Sequence, residues 1–113
     1  MTSNGVDLTQ KKCIPCEVGA KPFDKGEVAA MLKNVQGWAP GEDGRSIVKQ
    51  FSFHNFLEAM DFANKVAPLA EREGHHPDLC ISWGKVVVEL STHKIRGLSE
   101  NDFILAAKID QLS

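Results

Sequence analysis

The sequence predicts an α+β fold, a four-stranded antiparallel sheet with three helices on one face, in the order α-β-β-α-β-β-α. Three observations carry this expectation. Two stretches read as hairpins, apolar strand-like segments meeting at glycine-containing turns. Three others repeat apolar residues at helical spacing, two of them behind a capping pattern. Helices and hairpins also alternate along the chain, which favours local strand pairing with the helices gathered on one face.

Residues 1–22 are polar and punctuated by Gly5, Pro15, Gly19 and Pro22, so they read as a flexible N-terminal arm before a single domain over 23–113. Asp24 and Glu27 form a capping pair, and Val28, Ala29, Met31, Leu32 and Val35 continue a helix that Gly37 ends. Trp38 to Pro40 and Ile47 to Phe53 flank the turn Gly41-Glu42-Asp43-Gly44 as the first hairpin. The second helix carries a predicted buried stripe of Phe56, Leu57, Met60, Ala63, Val66, Ala67 and Ala70. Pro68 should kink it or shift its hydrogen bonding, and Pro77 should end the segment. Leu79 to Trp83 and Val86 to Thr92 pair around Gly84-Lys85. Val86, Val88, Leu90 and Thr92 share one face, and Val87, Glu89, Ser91 and His93 the other. Ser99 to Asp102 caps a last helix with Phe103, Ile104, Ala107 and Ile109, a candidate subunit interface.

The chain of 113 residues fits one domain whose stability margin is modest, so oligomerisation would help it. A net charge of −2 without a Lys/Arg cluster argues against a nucleic-acid surface. No apolar run is long enough to span a bilayer, and no basic-then-apolar leader opens the chain, so the expected location is cytoplasmic. Three cysteines, Cys13, Cys16 and Cys80, suit free thiols in a reducing compartment. Cys13-Ile14-Pro15-Cys16 lacks the strand and helix context of a redox motif and has no second pair for zinc.

His75 and His76 follow the long helix, and His93 follows the last strand. A short hairpin brings the start of one strand beside the end of its neighbour, so His93 should lie near the pair. Imidazole exchanges protons near neutrality, and a positioned one contributes roughly 10²–10⁴ in rate. Taken singly, each of these residues reads as a solvated loop histidine. Metal binding is the sharper rival, but adjacent histidines point apart and no H-E-x-x-H or paired Cys/His spacing completes a site. No metal is expected.

The spaced set Glu71, His75-His76-Pro77, Trp83, His93 and Asp102 resembles the signature of the pterin-4a-carbinolamine dehydratases, with every motif position filled. The resemblance implies a four-stranded antiparallel sheet backed by three helices, assembled into homodimers or homotetramers. It implies dehydration of a 4a-hydroxytetrahydropterin to quinonoid dihydropterin, without metal or organic cofactor, in recycling of tetrahydrobiopterin-type cofactors. By the same resemblance His75 and His93 do acid-base work and His76 mainly orients the pterin, with Glu71, Trp83, Ser91, Thr92 and Asp102 as further binding residues.

Two of these have structural readings as well. Ser99-x-x-Asp102 is also a helix cap, and Trp83 fits packing at the hairpin as readily as shaping the pocket. Glu71, four residues before His75, is expected to share a helix face with it. Gly74 and Leu79 differ from the acidic and aromatic residues of animal members and look more like microbial and plant branches. Animal members resemble a second class of function, coactivation of a dimeric homeodomain transcription factor, and this departure lowers the odds of that role.

Overall fold

The computed structural model describes residues 8–14 and 20–113. The elements follow the expected order. Helix α1 spans Lys25–Leu32, strands β1 and β2 span Ala39–Pro40 and Ile47–Ser52, and helix α2 spans Phe56–Glu73. Strands β3 (Asp78–Ser82) and β4 (Lys85–Leu90) then lead to helix α3 (Glu100–Asp110). Single 3-10 turns occupy Leu8–Gln10 and His93–Ile95. All strand pairs are antiparallel, in the spatial order β1-β2-β4-β3. The second hairpin therefore joins the sheet through β4, and β3 lies at an edge.

Period-two alternation decides which face is buried. Ile47 and Phe51 of β2 pair with Leu90 and Val86 of β4, and Leu79 and Ile81 of β3 pair with Val88 and Val86. Val86, Val88 and Leu90 are buried, as the alternation predicts, while Glu89 is exposed on the opposite face. Phe62 of α2 closes on this face, its ring 4.6 Å from that of Phe51 and 5.2 Å from that of Phe53. Burying each such side chain contributes about 1.5–3 kcal/mol, enough to fix the register. Turn chemistry agrees, since Gly84 takes a left-handed φ of 73° between β3 and β4.

Several expectations about the elements are corrected. Helix α1 stops at Leu32, and Val35 reaches the core from the following turn. The buried stripe of α2 is Ala59, Phe62, Ala63, Val66, Leu69 and Ala70, leaving Phe56, Leu57 and Ala67 exposed. Pro68 sits on the outer side, where water can satisfy the carbonyl it cannot bond, so the helix runs on through it. Gly74, rather than Pro77, ends α2 with a left-handed φ of 66°.

Phe103, Ile104 and Ile109 of α3 are buried within this chain's own core, which removes them as an interface. Residues 8–14 of the expected flexible arm are packed on the domain. Leu8 is 3% exposed in the core, and Lys11 pairs with Glu100 at 2.6 Å. Cys16 lies outside the described residues. Among the described residues, no helix is long and apolar enough to cross a membrane.

Candidate active site

The end of α2 sets the site. Because Gly74 adopts a left-handed conformation, His75 N–H donates back to the Ala70 carbonyl at 3.2 Å and the chain reverses. That reversal breaks the helical relation expected between Glu71 and His75. His75 instead turns inward onto α3, its Nε2 lying 2.6 Å from Asp102 Oδ1, with the imidazole only 12% exposed. Glu71 contacts its other neighbour, His76 Nε2, in a pair whose side chains are both exposed. Solvent screens such a pair, so it orients more than it stabilises.

Asp102 is fully buried, and a buried carboxylate needs its lone pairs filled. While Oδ1 faces His75, Oδ2 accepts the Ser99 backbone N–H at 2.9 Å and the Thr92 hydroxyl at 2.7 Å. Thr92 Oγ1 also lies 2.9 Å from Ser99 Oγ. One carboxylate thus serves the N-terminus of α3 and holds an imidazole, so the capping and functional readings of Asp102 are both met. It has no exposed surface, and its hydrogen bonds run to His75, Thr92 and Ser99. The Thr92 hydroxyl is likewise engaged by Asp102.

The three histidines share one cavity of about 340 Å³. His75 and His76 enter from the end of α2, and His93 enters from the 3-10 turn after β4. Ser91 lines it too, together with Lys94, a residue the sequence reading passed over although it adjoins His93. The volume lies at the small end of the range for small-molecule sites. Trp83 is elsewhere. It occupies the β3–β4 turn, five residues from the histidine end of that hairpin, or roughly 15 Å, and is 73% exposed. Neither packing in the core nor shaping this cavity describes it. Ile14 and Asn101 also line the cavity. No local pattern marks either one, because they meet across 87 positions.

Behind the site, Glu73 joins the N-terminal segment to α3. Burial pushes its carboxyl up, but hydrogen bonds from Lys108 Nζ at 2.7 Å and the Cys13 backbone N–H at 3.0 Å outweigh this and hold it below the ordinary range. Burial, reinforced by the Glu73 carboxylate, pushes the Cys13 thiol up to about 12. Among the described residues, no group of three or more His, Cys, Asp or Glu is placed to hold a metal ion.

Comparison with known proteins adds independent findings. A family model described as pterin 4 alpha carbinolamine dehydratase matches residues 21–112. A protein of Rickettsia bellii, provisionally named a pterin-4-alpha-carbinolamine dehydratase, is 54% identical over 106 residues, which is 93% of each chain. One of the same provisional name from Halorhodospira halophila is 47% identical over 107 residues, covering 95% of this chain and 98% of its own. A crystal structure from Brucella melitensis, described as a transcriptional coactivator/pterin dehydratase, superposes with a TM-score of 0.77 at 28% identity. It covers 81% of this chain and 98% of its own. From matched signature, fold and relatives together, the chain belongs to the pterin-4a-carbinolamine dehydratase family.

Proposed function

We propose that this protein dehydrates a 4a-hydroxytetrahydropterin to quinonoid dihydropterin, with imidazoles moving the protons. The observation that supports this reading is the meeting of His75, His76 and His93 in one cavity, with a buried carboxylate behind His75. In the reaction, the nitrogen 5 lone pair forms the new C=N bond to carbon 4a as the C–O bond breaks. The hydroxyl takes one proton and leaves as water, and nitrogen 5 gives up another. No electrons are gained or lost overall, so an acid and a base suffice.

His75 suits the base. Asp102 fixes its ring through Nε2 and leaves Nδ1 for proton transfer, as the carboxylate does in a catalytic triad. His93, from the opposite segment, protonates the departing hydroxyl. His76, steadied by Glu71, orients the ring. The product is the species a reductase returns to the tetrahydro form, so recycling of a hydroxylase cofactor in the cytoplasm belongs to the same reading.

A spectroscopic dehydration assay on synthetic 4a-hydroxytetrahydropterin, with chelator present, tests this. His75→Ala and His93→Ala should each lower kcat about 10²–10⁴-fold while the circular dichroism spectrum is retained. Unchanged rates in both variants would overturn the assignment. The second reading, a partner for a transcription factor, draws on the description of the Brucella structure. It expects factor binding to survive both substitutions and the wild-type protein to show no dehydration.

A further inference from the structure

The cavity has a wall that neither the sheet nor the three helices supply. Ile14 lines it from the N-terminal segment, and besides Pro77 it is the one large apolar side chain there among the described residues. The other prominent groups, such as His75, His76, His93 and Lys94, are polar. A pterin has a polar edge and two flat, weakly polar faces, so this set matches the edge better than the faces.

Ile14 is unusual in how it is held. Its side chain is 69% exposed and adds little to the core. Its backbone, in contrast, is gripped on both sides by one side chain. Ile14 N–H donates to Asn101 Oδ1 at 2.9 Å, and Asn101 Nδ2 donates to the Ile14 carbonyl. Asn101 is itself buried at the start of α3, next to Asp102. Neighbouring bonds repeat the attachment. Cys13 N–H reaches Glu73, the Cys13 thiol donates to the Asn101 carbonyl at 3.6 Å, and Lys11 reaches Glu100. Fixing a backbone costs conformational entropy, and here the ordering presents an isoleucine to open space. Leu8 and Cys13 pack the neighbouring part of the segment on the domain, but neither explains why the Ile14 side chain is held at the cavity, whereas contact with a ligand would.

We propose that Ile14 is a substrate-contacting residue that packs on one face of the bound pterin, with Asn101 as the positioning residue that holds it there. The proposal rests on the pterin reading and extends it to a segment outside the matched residues 21–112. Burying the exposed part of an isoleucine strengthens binding without touching the reacting atoms, so the effect belongs in affinity rather than in chemistry.

The test uses the full chain, with 6-methylpterin as a fully oxidised probe that cannot lose water, followed by fluorescence. Ile14→Ala should weaken binding and raise KM about fivefold with kcat held within about twofold. Ile14→Leu should restore both. Asn101→Ala should weaken binding similarly, and the double variant should be no weaker than the worse single one, because both remove one contact. Thermal melts identify any variant that fails to fold, and Ile14, being exposed, should pass. Wild-type binding that Ile14→Ala and Ile14→Leu leave unchanged would overturn the role of Ile14 while the dehydratase reading stands. A wild-type protein that neither binds the probe nor dehydrates the carbinolamine would overturn both.

Discussion

At the residue scale, Asp102 carries the most consequence, because two requirements fall on one carboxylate. Asp102→Asn keeps the shape and an oxygen for capping, but its amide presents a donor where His75 needs an acceptor. Dehydration should therefore fall about 100-fold or more in kcat with KM little moved, and a normal kcat would remove Asp102 from the mechanism. Cys13 offers a second check. Because burial and Glu73 push its thiol up to about 12, it should resist iodoacetamide at pH 8, while the exposed Cys80 alkylates readily. Peptide mass spectrometry after timed alkylation reads the difference, and equal rates at the two cysteines would contradict the packing of the N-terminal segment. The convergence of three histidines was legible in the sequence, because a short hairpin dictates it. The partner of each was not. Spacing suggested Glu71 for His75, but a left-handed glycine intervened and gave His75 to a residue 27 positions away.

At the scale of elements, capping residues and turn glycines marked most boundaries, and the element order was readable from them. Helix α2 was read less well because it carries two apolar stripes, and periodicity alone does not say which one faces the sheet. Phe62 and Leu69 belong to the buried stripe, Phe56 and Leu57 to the other. The end of α2 is also coupled to α3 through Glu73 and Lys108, whose side chains are 8% and 14% exposed. The Glu73 carboxyl is held below its unfolded value, so its contribution to stability is present above that value, near 4.5, and is lost as pH falls through the lower folded one. Glu73→Gln should accordingly flatten the loss of melting temperature between pH 5 and about pH 3. Parallel melting curves for variant and wild type across that window would count against the coupling.

For the whole molecule, Gln50, Ser52, Cys80 and Glu89 on the second face of the sheet are exposed among the described residues, β3 lies at an edge, and the second stripe of α2 exposes Leu57 at 74%. A domain of this size gains by covering such surface. A homo-oligomer is accordingly part of the proposed reading, with exposed surface rather than α3 at the contact. Sedimentation at micromolar concentration should give more than the monomer mass of 12.4 kDa, and Leu57→Glu should shift it toward the monomer. A wild-type monomer under those conditions would remove this part. Subunit contacts were illegible in the sequence for a simple reason: apolar residues at helical spacing look alike whether their own chain or another covers them.

The short contact between His75 and a carboxylate sealed from solvent has a practical consequence. A proton held there should exchange slowly with bulk water and resonate downfield of ordinary amide signals, and a proton spectrum with no such line would show that the contact is not closed in solution. That proton is a built-in spectroscopic reporter, visible without labels or turnover. Titrating ligands while watching that single line would show when the ring of His75 feels an occupant, independently of any assay of product.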